Sequence, residues 1–249
     1  MKEDFLPENR FEKIYRFNEV TSTMDECEEL IKSGVRRGIV VAESQTSGRG
    51  RNAKKWVSEN NGNIYLSFFD EIDPENPINI IPQRCAAAAF LAVKPFVEGV
   101  AEIAIKWPND ILIEMKKVSG IIAKTMLFEG KRFYICGIGI NVFPPDENGQ
   151  KFVWEPAAVS EYAEVSTEEV LSSLVEAADF AFSMQDAEII DIYSKNISWM
   201  IDREIVFSQD LVHNEKGKIA GFSDDFSVIK ILTENGSKEL SALSVLSIV

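Results

Sequence analysis

Four β-rich runs follow one another at 103–107, 111–114, 118–128 and 132–142, broken only by Pro108-Asn109, Met115-Lys116-Lys117 and Glu129-Gly130-Lys131. Such breaks are too short for the crossover of a dozen or more residues that parallel neighbours need. The segment is therefore confined to a hairpin meander in a mixed or antiparallel sheet. Helices are expected around it. Ser22-Thr23 precede Asp25, Glu26, Glu28 and Glu29, and Gly34 closes the stretch, which is the pattern of a capped helix. Strands are predicted at 39–42 and 63–69. Pro82 opens an alanine-rich helix over about 82–94, bent or ended by Pro95. Ser166 and Glu169 form a capping box ahead of amphipathic helices at 167–184 and 186–197. From Arg203 the pattern becomes short strands with turns at 214–217, 223–225 and 234–236, the pattern of a small β-barrel. The expected fold is α/β (α+β): a mixed β-sheet backed by helices in residues 1–201, and a small C-terminal β-barrel in residues 202–249.

Charge is unevenly placed along this frame. The 249 residues carry a formal net charge of -14. Yet Arg49, Arg51, Lys54 and Lys55 crowd the loop Ser47-Gly48-Arg49-Gly50-Arg51-Asn52-Ala53-Lys54-Lys55-Trp56, and no acid interrupts it from Ser44 to Ser58. Glycines free backbone N–H groups and allow close approach, while arginines match phosphate and carboxylate oxygens. The loop reads either as a localised anion site or as a basic solvated surface loop. The acidic balance argues against general nucleic-acid binding.

Cys27, Cys85 and Cys136 are isolated, without a C-x-x-C, and read as reduced buried thiols of a cytoplasmic protein. One histidine, His213, in a polar turn, speaks against a histidine-rich metal site and a Ser/His/Asp triad. The acidic start lacks a signal-peptide core, and no apolar run approaches the roughly 20 residues of a membrane span.

Four further segments stand out: Lys106-Trp107-Pro108-Asn109-Asp110, Lys117-Val118-Ser119-Gly120-Ile121, Gly137-Ile138-Gly139-Ile140-Asn141 and Ser22-Thr23. Each has a plain structural reading. Asn109-Asp110 serves as turn chemistry, Lys117 as a solvated turn lysine, and Gly137-x-Gly139 lacks the third glycine of a dinucleotide fingerprint. Together and in this order, with Gln45 and the Gly48-Arg49-Gly50-Arg51 loop, they resemble the biotin–protein ligase family. The resemblance is strong over about residues 14–145 and weaker through the C-terminal β-tail, which looks like the family's SH3-like domain.

The resemblance implies a class II synthetase-like catalytic domain that activates biotin with ATP to biotinyl-5′-AMP. It then transfers biotin to a lysine of a biotin carboxyl carrier domain. Catalysis would fall to Lys117, Arg51 and Asp110. Biotin would be held by Ser22, Thr23, Met24, Gln45, Arg49, Gly50, Arg51 and Lys117. Nucleotide would be held by Arg51, Trp56, Asn109, Asp110 and Asn141, with Mg²⁺ near Asp110 and Trp154 a candidate to stack on adenine. Both reactants of the first step are anions, so clustered cations suit the chemistry. The chain departs from the family at Asn52-Ala53, at Met24, where asparagine is common, and at 240–244, which lacks a Gly-Glu pair. About 20 residues precede Ser22, too few for an N-terminal helix-turn-helix, so the expectation is the short form that binds no DNA, with a homodimer open. Two rivals remain: a lipoate–protein ligase or octanoyltransferase of the same fold, and a non-catalytic biotin-binding protein.

Overall fold

The computed structural model describes residues 1–51, 55–75, 79–145, 154–208 and 214–242, and the backbone of 245–248. Asn52, Ala53, Lys54 and His213 lie outside the described residues. An eight-stranded mixed sheet forms the larger layer: β1 (Lys2–Phe5), β2 (Lys13–Val20), β3 (Arg37–Gln45), β4 (Ile64–Glu71), β5 (Ile103–Lys106), β6 (Asp110–Ile113), β7 (Lys116–Phe128) and β8 (Lys131–Ile140). Their order is β1-β2-β3-β4-β8-β7-β6-β5. Only β2 and β3 are parallel among these neighbours. The meander expected at 103–142 is present, each strand starting within two residues of its expected position.

Helices cover both faces. α1 (Thr23–Lys32) starts at Ser22, whose Oγ accepts from Met24 N–H, and ends before Gly34 at φ 96°, a left-handed turn that glycine allows. It packs Met24, Cys27 and Ile31 against Tyr15, Val40, Phe69, Phe133 and Ile135 on one face of the sheet. The opposite face is covered by α2 (Ile81–Val97), α3 (Thr167–Ser183) and α4 (Asp186–Ile197). Ala86–Ala89 are fully buried in α2, small enough for its backbone to lie close to its neighbours: Ser173 Oγ of α3 donates to Ala92 O at 2.9 Å. Buried Arg84 donates to Ala181 O (2.7 Å) and Met184 O (2.8 Å), satisfying carbonyls at the end of α3. The capping box of Ser166 and Glu169 starts α3 as expected.

Two expectations change, and two strands are added. Pro95 does not end α2, which runs to Val97. So close to the end, the missing N–H costs a single helical bond. Lys2–Phe5 and Lys13–Val20 are strands that the sequence did not signal, because Arg16, Asn18 and Glu19 break the apolar alternation. The turn expected at 214–217 is instead the start of β10, where Lys216 and Gly217 pair with Val206 and Ile205.

The C-terminal strands β9 (Glu204–Phe207), β10 (Glu215–Phe222), β11 (Val228–Thr233), β12 (Gly236–Ser241) and β13 (Val245–Ile248) form a second, antiparallel sheet in the order β12-β11-β10-β9-β13. Its core is not separate. Phe207, Ile219, Phe226, Ile229 and Ile231 belong to the same buried apolar cluster as α2, α3 and α4. Trp107 Nε1 donates to Phe226 O at 2.8 Å, Gln83 Nε2 to Asp225 O at 2.8 Å, and the rings of Tyr193 and Phe226 lie 5.2 Å apart. The three cysteines are free and buried, and no described helix is long and apolar enough to cross a membrane.

Candidate functional site

Register builds the site floor. On the α1 face of the large sheet, Asp110 lies opposite Gly120, Gly120 opposite Gly139, and Gly139 opposite Tyr65. The two glycines leave the centre of that row without side chains. The Trp56 indole fills the space: a Cβ built at Gly139 would come within 2.5 Å of its ring, and one at Gly120 within 2.7 Å. Gly137, one step along the same face, is covered by Met24, whose Sδ is 3.2 Å from the position of a Cβ. The glycines of Lys117-x-x-Gly120 and Gly137-x-Gly139 therefore serve close approach to the sheet, not a nucleotide turn.

At one end of this floor is a polar network. The Thr23 amide donates to Gln45 Oε1 at 2.9 Å, and Thr23 Oγ1 shares a 2.7 Å hydrogen bond with Ser67 Oγ. Gln45 Nε2 donates to Ser58 Oγ at 2.8 Å. Ser22 and Thr23 are both buried. Gly48 permits the loop to fold onto this network, since any Cβ there would collide with Trp56 O and Ser58 Oγ. Ser58 and Ser67 join the set with no signal in the sequence, because lone serines in strand and loop carry none.

At the other end is a cation cluster. Lys106 Nζ is 2.9 Å from Asp110 Oδ2, and Lys117 Nζ is 2.6 Å from Oδ1, the latter off hydrogen-bonding direction. Burial pushes the Asp110 carboxyl up, but the Lys117 and Lys106 ammonium groups outweigh it and hold the pKa below its ordinary value of 3.8. Lys117 Nζ also lies 5.2 Å from the centre of the Trp56 ring, and Lys106 Nζ 4.7 Å from that of Trp154. Arg51 reaches in from the basic loop: Nη1 donates to Asn109 Oδ1 at 3.1 Å and Nη2 to the carbonyl of Ala242, the residue that follows β12. Burial lowers the Arg51 pKa, against the pull of Asp110, and a guanidinium so placed keeps its charge. Asn109 in turn donates to Ile121 O at 2.7 Å. Three cations thus surround one carboxylate, and the surplus positive charge suits an anionic ligand.

Folded Asp110 is more acidic than an unfolded aspartate. Its contribution to stability is present above the ordinary carboxylate pKa and is lost as pH falls through the folded value. An acid titration followed by tryptophan fluorescence should show a local transition below pH 3.8 that Asp110→Asn abolishes. An identical titration in that variant would contradict the cluster.

The structure brings Ser22, Thr23, Met24, Gln45, Arg51, Trp56, Asn109, Asp110 and Lys117 to one face. Arg49 turns away, its guanidinium forked onto Asp25 of α1 at 2.7 and 2.8 Å. Trp154 stands beside Lys106 and 6.4 Å from Trp199. A resident magnesium ion does not fit Asp110 as arranged, since both oxygens face ammonium groups. Among the described residues no group of three or more His, Cys, Asp or Glu could hold a metal.

Known proteins resemble this chain in sequence and in fold. Residues 14–141 match the sequence profile of the biotin/lipoate A/B protein ligase family. The bifunctional ligase/repressor BirA of Bacillus spizizenii is 40% identical over 127 residues, covering 49% of this chain and 38% of BirA. The biotin–[acetyl-CoA-carboxylase] ligase of Mycobacterium tuberculosis is 31% identical over 107 residues, 42% of this chain and 39% of that protein. The matches therefore span well under half the length of these relatives. The solved biotin protein ligase from Aquifex aeolicus, in complex with biotin and ATP, superposes with a TM-score of 0.69 at 27% identity, covering 95% of this chain and 98% of that one.

Proposed function

The chain belongs to the biotin/lipoate A/B protein ligase family, and from that premise we propose that it joins biotin to a lysine of a carrier domain of a biotin-dependent carboxylase, using ATP. The observation that carries this reading is the pairing of a polar network with a cation cluster across one row of glycines covered by Trp56. The Thr23–Gln45–Ser58–Ser67 network suits the ureido group of biotin, which both donates and accepts hydrogen bonds, better than the apolar rings and chains of lipoate or octanoate. The Arg51–Lys106–Lys117 cluster suits the carboxylate and phosphates that must meet.

In the first step a biotin carboxylate oxygen attacks the α-phosphorus of ATP and pyrophosphate leaves. Lys117 and Arg51 bring two anions together and stabilise charge that builds on the phosphoryl oxygens. In the second step the carrier's lysine amine attacks the biotinyl carbonyl, AMP leaves, and the amine loses its proton. Lys117 polarises the carbonyl, and Asp110 orients Lys117 and the incoming amine. Ser22, Thr23, Met24 and Gln45 enclose the biotin ring, and Trp56, packed on Gly120 and Gly139 beside Lys117, belongs with the nucleotide group. Arg49 and Gly50 join the biotin group once the loop leaves Asp25. Asn109 and Trp154 face the nucleotide. Mg²⁺ belongs with the nucleotide phosphates in this reading, because Asp110 is held by lysines. The division into a catalytic part, 1–201, and an SH3-like barrel, 202–249, belongs to the same proposal. It is supported by the change of sheet at Glu204.

Arg51 bridges Asn109 and Ala242 after β12, so its loss should loosen the loop and remove a cation from an anionic intermediate. Arg51→Gly is expected to release biotinyl-5′-AMP about tenfold faster or more, since a charge-assisted contact contributes some 1.5–3 kcal/mol. Rapid dilution with mass-spectrometric detection of free adenylate measures this, and an unchanged off-rate would contradict it. The same detection tests the function itself: incubation with biotin and ATP should yield biotinyl-5′-AMP, and its absence would refute the assignment.

A further inference from the structure

Asn141 ends the Gly137-x-Gly139-x-Asn141 motif, and by resemblance it would touch nucleotide phosphate or metal. Its surroundings give it a different task. The side chain is buried, and its Nδ2 donates to the Ala157 carbonyl at 3.1 Å and, in a longer bond, to the Lys117 carbonyl at 3.3 Å. Both neighbours are acceptors, so the nitrogen must face them, and a primary amide has only two hydrogens to give. No donor remains for a phosphate oxygen.

The backbone around Asn141 extends the same contact. Asn141 N–H donates to Val118 O at 2.9 Å, and its carbonyl accepts from Val159 N–H at 3.0 Å. Lys117 N–H donates to Glu155 O at 2.7 Å, and Ala157 N–H donates to Lys117 O at 2.9 Å. Residues 155–159 are thereby stitched beside the start of β7, with Lys117 at the centre. Trp154, immediately before them, stands over Lys106.

We propose that Asn141 is a positioning residue: its amide clasps the Lys117 and Ala157 carbonyls and so sets the Lys117 ammonium beside Gly120 of the glycine floor. The inference deepens the biotin-and-ATP reading for its kinetic part, while the clasp itself stands on geometry alone. It narrows the role of Asn141 from donating to ligand to holding the residues that do.

The test is Asn141→Asp, which keeps the shape but turns a double donor into a carboxylate facing two carbonyl oxygens. Amide exchange by NMR on the full chain reads the clasp without any activity. The Lys117 and Ala157 amides should exchange at least about tenfold faster, while amides of β3 and β4 keep their protection. In ATP–pyrophosphate exchange with biotin, kcat should fall about tenfold or more, with KM for ATP and half-saturation by Mg²⁺ moving less than about twofold. Unchanged amide exchange overturns the clasp. A raised KM for ATP or a shifted Mg²⁺ requirement with kcat preserved makes Asn141 a direct ligand and overturns the positioning role. Asn141→Ser, which keeps one small donor, gives the same readouts if the aspartate variant does not fold. A wild-type chain without exchange activity counts against the biotin-and-ATP reading, and the amide-exchange result still decides the clasp.

Discussion

Replacing Lys117 with alanine is expected to slow adenylate formation about 100-fold, equivalent to ~3 kcal/mol of transition-state stabilisation, while the chain stays folded. The ammonium sits at the edge of the glycine floor between Asp110 and the Trp56 ring, so it is placed where a carboxylate and a phosphate would meet. Its side chain is 27% exposed and contributes little core area. The variant does leave Asp110 with one lysine instead of two. Lys106 remains 2.9 Å away, so the carboxylate is not abandoned in a buried site. Single-turnover formation of biotinyl-5′-AMP, alongside a thermal melt, measures the effect. A folded variant with a near-normal rate would contradict the role.

The second large effect concerns stability. Phe226 sits at φ 55° in the turn between β10 and β11, packed among Trp107, Tyr193 and Phe222, and it is 9% exposed. Phe226→Ala is expected to cost about 3 kcal/mol, by lost apolar burial and by the cavity left behind. For a chain of this size that corresponds to a fall in Tm of roughly 6–12 °C. Adenylation should slow as well, because Trp107 anchors the turn that carries Asn109 and Asp110. Calorimetric melting of the full chain decides it, and a loss below about 1 kcal/mol would show that the two sheets are not joined through this contact. The shared core also predicts that residues 1–201 do not fold stably without the second sheet. Cutting after Ile201 removes Phe207, Ile219, Phe226, Ile229 and Ile231 from a cluster they help to fill, and exposes Trp107 and Tyr193.

Much of the fold follows from short-range signals. Ser22 and Gly34 bracket α1, Ser166 and Glu169 start α3, and the breaks at 108–109, 115–117 and 129–131 leave only a meander. These are local rules, in which a side chain satisfies its own backbone. The missed elements depend on distant partners. β2 exists because β1 and β3 complete its hydrogen bonds, and β10 begins at Glu215 because β9 pairs with it.

The site divides in the same way. Arg51, Lys117, Asp110 and Gln45 were legible because an unusual residue type stood in an ordered motif. The row from Asp110 through Gly120 to Gly139 needed strand register to be seen. Ser58, Ser67 and the Ala242 carbonyl needed the tertiary fold. Arg49 shows the opposite limit: its position in the motif was clear, but its pairing with Asp25 was not, since charge type does not choose a partner.

ATP–pyrophosphate exchange, with biotin, lipoate and octanoate offered in turn to the purified chain, tests the central claim most directly. It reports reversible adenylation alone, before any carrier is needed. The arrangement of the Thr23–Gln45 network beside the Arg51–Lys117 cluster predicts exchange that depends on biotin, with lipoate and octanoate near background. Exchange with lipoate or octanoate and none with biotin would contradict it, and so would exchange with none of the three.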